Sequence, residues 1–375
     1  MSERPFDVVI LGAGIVGAAC ALECAREKMS VAVVEPAVIG GGATAAGMGH
    51  VVVMDDSEAQ FALTRFSQQL WIDLIPTLPK EVEYVGCGTI WVAADEEEMN
   101  EVRRKRTFYG SRRVPTVILD SQQLREAEPH LREGLAGGLL VPEDSVLYAP
   151  CAARFLLAQA CELGCRLYAG MRATELTSDG VRLSSGATMS AAAVVNATGA
   201  WAPELTPGLE VRKRKGHLVI TDRYPGYVRH QLVELGYLKS AHSVSSDSVA
   251  FNVQPRTTGQ VLIGSSRQFG AEHSEVDGAI LQRMLDRACE YMPSLAGMSA
   301  IRTWTGFRAA TPDKLPLIGK SPANDRLYLA TGHEGLGITT SLGTAKLLVD
   351  QLLNRPSEIP AEPYLPTRSL EPVHA

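Results

Sequence analysis

Apolar and polar positions fall into two kinds of stretch along this chain, short β-type runs and longer segments with the 3.6-residue spacing of helices. The first run is Asp7 to Leu11, DVVIL. Gly12, Gly14 and Gly17 follow as Gly-x-Gly-x-x-Gly at the mouth of a segment rich in Ala and Cys, and a Val-rich run then ends at Glu35. Strand, glycine turn, helix and second strand in one register predict a βαβ start to an α/β fold. In such a start the first glycine makes the turn tight, the second lets a pyrophosphate approach bare backbone at the positive helix end, and the third lets the helix sit close on the strand. A carboxylate at Glu35, roughly 20 residues on, accepts hydrogen bonds from ribose hydroxyls and repels a ribose phosphate. The pattern predicts an adenine dinucleotide, with NADP disfavoured and FAD and NAD both open.

Beyond Glu35 the stretch VIGGGATAAGMGHVVV is a loop of small residues, with Thr44 placed to donate to a phosphate and Gly47 to Gly49 allowing close approach to a flat ligand. Helical periodicity covers residues 57 to 76, and residues 81 to 145 mix β-type runs such as GTIWVA with a charged helix, EEEMNEVRRKR, whose charges read as a solvated face. A helix from Pro150 to Gly164 precedes a hairpin turning at Ser178-Asp179-Gly180, and AAAVVNATGAWAPEL is an apolar strand ending in Gly199 and Trp201. From 212 to 270 the runs HLVIT, SVAFNVQP and QVLIGSS, separated by Gly, Pro and Ser clusters, predict an antiparallel sheet. A helix over 276 to 292, the strand RLYLATG, a last helix from about Gly337 to Leu353 and a proline-rich tail from Pro356 complete the pattern.

Composition narrows this picture. The 375 residues, 45% of them hydrophobic, bury a large core, in two domains or one domain with a large insertion. A net charge of -6 and only short basic runs, such as Arg212 to Lys215, give no field for nucleic acid. No apolar stretch reaches the roughly 18 residues needed to span a bilayer, and the expected location is cytoplasmic. The seven cysteines lack the spacing of metal or cluster ligands, so no metal is expected; Cys20, Cys24, Cys161 and Cys165 read as small buried apolar side chains.

Three separated elements, the fingerprint ending in Glu35, VVNATGAWA, and LYLATGHEGLGITTSLG near the C-terminus, together resemble the D-amino-acid oxidase superfamily of FAD enzymes, especially its glycine oxidase and sarcosine oxidase branch, over nearly the whole chain. The resemblance implies an α/β Rossmann-type FAD-binding domain (GR2-like) and a discontinuous α+β substrate domain built on an antiparallel sheet. Residues 1–80, 146–211 and 300–365 would form the first, 81–145 and 212–299 the second, and 366–375 a tail. By the same likeness Gly12, Gly14 and Gly17 hold the pyrophosphate, Glu35 binds the adenosine ribose, and Thr44, Gly47 and Met48 lie along the phosphates and flavin. The backbone at Ala173 meets the adenine, Gly199 and Trp201 close the second cofactor strand, and Gly335, Leu336, Gly337, Ile338 and Thr339 meet the pyrimidine edge. The residues agree by themselves at this end, because glycines open a helix whose N-terminal amides and dipole suit the electron-rich edge of reduced flavin.

On the substrate side Arg308, in GFRAATPDKLPLIG, matches the arginine that this branch uses to grip the substrate carboxylate. A guanidinium forks onto a carboxylate through two parallel hydrogen bonds; the alternative is a structural pair with an acid such as Asp313. Asn252 stands where glycine oxidases present a residue, typically tyrosine, toward substrate, and His50 follows the flavin loop as a further pocket candidate. Gly306 occupies the place of the cysteine through which sarcosine oxidases attach flavin, which implies non-covalent FAD. The reaction implied is oxidation of the C–N bond of a small amino or imino acid, with hydride passing from the α-carbon to flavin N5. The chain also resembles catalytic subunits of multi-component bacterial dehydrogenases of the D-hydroxyproline, octopine or nopaline, and hydrogen cyanide-forming types. The first type is favoured, and it implies partner subunits carrying iron–sulfur centres. A non-catalytic FAD-binding electron-transfer subunit is the alternative.

Overall fold

The computed structural model describes residues 5–236 and 247–370. The chain divides into two units, one of Met1–Val82, Tyr148–Lys213 and Phe307–His374, the other of Glu83–Leu147 and Arg214–Gly306.

In the first unit a sheet runs in the order Leu317–Lys320, Leu327–Thr331, Thr188–Asn196, Phe6–Leu11, Val31–Glu35, Arg166–Ala169. Along this path the strands are parallel except Leu317–Lys320 at the edge, and off the path Gly180–Leu183 pairs antiparallel with Thr188–Asn196. Parallel strands buried on both faces read as continuous apolar runs, and Val8 to Leu11 and Val31 to Val34 are each at most 2% exposed. The first helix, Ile15–Arg26, is buried almost all round and packs against both Ala149–Glu162 and Gly337–Leu352. Its Ala, Gly and Cys side chains make that close packing possible. Burial pushes the Cys24 thiol up to about 12 and raises Cys20 well above its ordinary value; Cys161, by contrast, is exposed, because it lies on the outer side of its helix end. The expected hairpin is present, with Ala173–Thr177 antiparallel to Gly180–Leu183.

The second unit carries a sheet in the order Ala300–Ala310, Arg212–Arg223, Gln260–Arg267, Ser248–Pro255, Gln231–Glu234, Thr89–Ala93, Gly137–Val141, Val117–Asp120. One face forms a core around Ile90, Val92, Leu232, Phe251, Val253 and Ile263 with Met284 and Tyr291 of the helix Gly278–Tyr291. The sheet is not wholly antiparallel. Gln231–Glu234 runs parallel to Thr89–Ala93, which a chain can do when the two strands are far apart in sequence and need no tight turn. The charged helix Glu96–Ser111 is capped by Asp95, whose side chain accepts from Glu98 N–H at 2.9 Å. Most of its charges face solvent, but Lys105 is fully buried with its ammonium 4.4 Å from the Trp91 ring centre, a cation–π contact that replaces hydration.

Two boundaries depart from expectation. The third segment of the first unit begins at Phe307 and not at 300, because the start of the strand Ala300–Ala310 belongs to the second unit's sheet. The tail is tied down: Tyr364 is 1% exposed and donates to the Ala59 carbonyl at 2.6 Å, and Arg368 grips Asp313 through Nε and Nη2 at 2.7 and 3.0 Å. Residues 371–375 of the expected tail lie outside the described residues.

A Cβ added at Gly17 would overlap the Gly12 carbonyl oxygen, whereas one added at Gly110 on an outer helix meets nothing within 4 Å. Urea unfolding should therefore show Gly17→Ala destabilised by about 3 kcal/mol from overpacking, and Gly110→Ala stabilised by roughly 0.5–1 kcal/mol through lost chain entropy. Equal effects at the two positions would contradict the close packing of helix on turn.

Candidate cofactor and substrate site

The site in the first unit is built from backbone. Gly12 has φ +100°, a conformation that favours glycine, and a Cβ there would stand 2.8 Å from the carbonyl oxygen of Ala197. The glycine turn and the end of VVNATG are thus packed backbone to backbone. Asn196 secures that strand end, its amide donating to the Ala202 carbonyl and Thr206 hydroxyl, each at 3.0 Å, while its carbonyl accepts from Thr198 Oγ1 at 2.6 Å. Thr331 Oγ1 donates to the Gly199 carbonyl at 2.9 Å and brings the third strand end to the second.

Gly14 caps the first helix and supplies no side-chain cap, so the helix keeps anion-seeking amides at its start. One of them, Ile15 N–H, donates to Thr44 Oγ1 at 3.0 Å, which orients Thr44 with its own hydroxyl proton available as a donor. Thr44 sits in a short helix, Gly42–Ala46, inside the small-residue stretch expected to be loop. The Glu35 carboxylate ends its strand and accepts from Ala13 N–H at 2.7 Å and Ala37 N–H at 2.8 Å. Each of its oxygens retains acceptor capacity for a hydroxyl. Ala173 begins the hairpin strand four residues after Ala169, which pairs with Glu35. Trp201, half-buried, packs edge-on to Phe307 with ring centres 6.2 Å apart, and a Cβ on Gly42 would lie 3.8 Å from its ring.

The last helix, Gly337–Leu352, opens in the same way. Leu336 offers no side-chain cap. Its first turn is clamped from outside: Thr339 Oγ1 donates to the His50 carbonyl at 2.9 Å and accepts from Val52 N–H at 3.3 Å, Trp71 Nε1 donates to the Ile338 carbonyl at 3.2 Å, and Ser67 Oγ donates to the Thr339 carbonyl at 2.6 Å. A Cβ on Gly47 would lie 3.0 Å from Ile338 Cδ1, so the segment carrying half-buried Met48 lies against this helix start. Ser67 and Trp71 were not among the expected site residues; their only signal in the sequence is a four-residue spacing on the buried face of the helix Glu58–Leu74.

Arg308 lies beside this second helix start. Ala309 and Glu334 form an antiparallel bridge, Glu334 N–H donating to the Ala309 carbonyl at 2.8 Å, and a Cβ on Gly335 would stand 3.7 Å from Arg308 Nε. Asp313 is held by Arg368. Gly306 directly precedes this stretch in the strand Ala300–Ala310. Asn252 belongs to the second unit, in the strand Ser248–Pro255 opposite Val233 and Gly264; it is 8% exposed, and its Oδ1 finds no hydrogen-bond partner among the described residues. His50 begins the short strand His50–Val51 with its side chain half-buried. Among the described residues no group of three or more His, Cys, Asp or Glu is arranged to hold a metal, and no helix is long and apolar enough to cross a membrane.

Two uncapped helix starts, an acid at a strand end and glycine-lined approach paths fit a dinucleotide that carries a flat, electron-rich ring; this is the donor set of a flavin-binding oxidoreductase. The chain belongs to the DAO family of FAD-dependent oxidoreductases, whose profile matches residues 7–351. It is 29% identical over 386 positions to glycine oxidase of Geobacillus kaustophilus, covering 99% of this chain and 98% of that one. The crystal structure of the same enzyme matches with a TM-score of 0.88 at 28% identity, covering 98% and 100%. Hydrogen cyanide synthase subunit HcnC of Pseudomonas aeruginosa is 26% identical over 423 positions, covering 98% and 97%. L-proline dehydrogenase from P. horikoshii shares the fold, with a TM-score of 0.87 at 21% identity and coverage of 97% and 98%.

His333 lies within the C-terminal glycine loop, buried, with Nε2 3.0 Å from Thr344 Oγ1. Burial lowers its pKa to about 3, against about 6.5 in an unfolded chain. Between these values the unfolded chain takes up a proton that the folded one refuses, so stability falls as pH drops below about 6.5 and is unaffected by this group above it. Urea midpoints at pH 7.5 and 5 should show His333→Gln losing about 2 kcal/mol less than wild type across that interval. An identical loss in both proteins would mean that His333 is not held neutral.

Proposed function

We propose that the protein oxidises the C–N bond of a small amino or imino acid, with Arg308 holding the substrate carboxylate. The observation that carries this reading is the position of Arg308 against Gly335 at the uncapped start of the last helix. Glycine oxidase relatives that span the full chain support it. The first unit would hold FAD, through Gly12, Gly14 and Gly17 at the pyrophosphate, Glu35 at the ribose, Thr44, Gly47 and Met48 along the phosphates and ring, Ala173 at the adenine, Gly199 and Trp201 at the second strand end, and Gly335 to Thr339 at the pyrimidine edge. Asn252 is a candidate residue for substrate recognition, and His50 a lesser one. With Gly306 in place of a cysteine, FAD would be held without a covalent bond.

Bound FAD supplies the hydride acceptor. The chain's share is alignment: a bidentate Arg308 fixes the carboxylate and with it the direction of the α C–H, and correct alignment is worth roughly 7 kcal/mol or more. The substrate nitrogen, deprotonated, pushes its lone pair toward the α-carbon as hydride leaves, so no protein base is required. Water hydrolyses the resulting imine unless it is cyclic and persists. Within this class we place a cyclic imino acid such as D-hydroxyproline first, with glycine- or sarcosine-type, opine and cyanide-forming reactions behind it. In this reading electrons leave through partner subunits with iron–sulfur centres.

Anaerobic mixing with D-amino acids, proline analogues, glycine and sarcosine should bleach the yellow flavin band with at least one of them; a spectrum unmoved by every amine leaves an electron-transfer subunit without a substrate of its own. Arg308→Lys keeps the charge and loses the fork, so flavin content should be retained while the reduction rate at low substrate falls at least about tenfold, the equivalent of roughly 1.4 kcal/mol. An unchanged rate would remove Arg308 from the site.

A further inference from the structure

The helix Glu58–Leu74 carries four polar side chains along one buried face, Gln60, Thr64, Ser67 and Trp71, at the spacing i, i+4, i+7, i+11. Each is at most 7% exposed. Three of them tie neighbouring segments of the first unit. Thr64 Oγ1 accepts from Met54 N–H at 3.2 Å, and Ser67 and Trp71 donate to the carbonyls of Thr339 and Ile338 at 2.6 and 3.2 Å. Gln60 breaks the pattern: its Oε1 is buried and has no hydrogen-bond partner among the described residues. Gln60 lines a small cavity between this helix, residues 314–316 and the start of the last helix, where His333, Leu336 and Thr340 form part of the wall.

Buried polar atoms are almost always satisfied, and each exception calls for a partner. The centre of a water molecule can range over about 10 Å³ in this cavity, which is room for one water and little more. Thr340 Oγ1 already donates to the Leu336 carbonyl at 2.8 Å, so what it has left to offer is acceptor capacity. Gln60 Oε1 also only accepts. Two acceptors on the wall of a one-molecule space match the two protons of a single water. An alkyl group would leave both unsatisfied, and Lys314 in the same wall opposes a cation such as ammonium.

We infer that one water bound in this cavity bridges Gln60 to Thr340 and makes Gln60 a positioning residue for the helix start at which the flavin edge would rest. The inference depends on that proposed seat of the flavin and on no choice of substrate. A crystal structure of the FAD-loaded protein should show a water within hydrogen-bond distance of Gln60 Oε1 and Thr340 Oγ1. The same crystal locates the isoalloxazine, so a flavin bound elsewhere, which would refute the cofactor reading, is told apart from a missing water, which overturns the inference. Gln60→Met keeps the length of the side chain and loses the amide. Its flavin reduction potential should move to more negative values, because a loosened helix start directs its dipole less well onto the reduced ring, and FAD should bind about fivefold more weakly or worse. Gln69→Met, at an exposed position of the same helix, should leave both quantities at their wild-type values. A Gln60→Met protein with the potential of the wild type also overturns the inference.

Discussion

Contact between backbone and backbone, with no side chain between, is the constraint on which the first unit depends. Gly17 rests its helix on the carbonyl of Gly12, and Gly12 in turn lies against the carbonyl of Ala197. Any Cβ in these places would separate the helix from the strand or one strand end from the next. The same closeness leaves helix amides facing outward with only a glycine or a leucine as cap, and such amides attract anionic and electron-rich groups. Packing and cofactor affinity therefore come from one geometric choice, and a substitution that harms the first harms the second.

The second helix start is fixed by neutral hydrogen bonds. Thr339, Ser67 and Trp71 hold the first turn of Gly337–Leu352 from two neighbouring segments, and the buried His333 stays uncharged beside it. A site meant to take up an electron-rich ring gains from this arrangement, because a fixed charge in the clamp would compete with the helix dipole for that ring. Charge enters through Arg308, at the edge of the same loop, where in the proposed reading it would orient a carboxylate.

What the chain disclosed before its structure was known follows from the range of each interaction. The βαβ start was legible because its periodicity, glycines and terminal acid are local in sequence, and the hairpin at Ser178 to Gly180 was legible through its turn residues. The family was legible because three strand ends, distant in sequence, all bear glycine motifs. Long-range pairing was not. The parallel neighbour Gln231–Glu234 is four residues long and has no periodicity to reveal it, and the grip of Arg368 on Asp313 joins residues 55 apart. Ser67 and Trp71 were hidden for a similar reason: a hydroxyl and an indole on a buried helix face show their value only once the carbonyls above them are in place. The short helix Gly42–Ala46 escaped notice because two of its five residues are a glycine and a threonine, neither a strong helix former.

Everything turns on whether these backbone turns hold one FAD. Protein purified without added cofactor should be yellow, and acid precipitation should release into the supernatant close to one FAD per chain, identified by chromatography against FAD, FMN and NAD standards. A colourless protein that takes up no FAD on reconstitution, or flavin released as FMN, would contradict the account at its root.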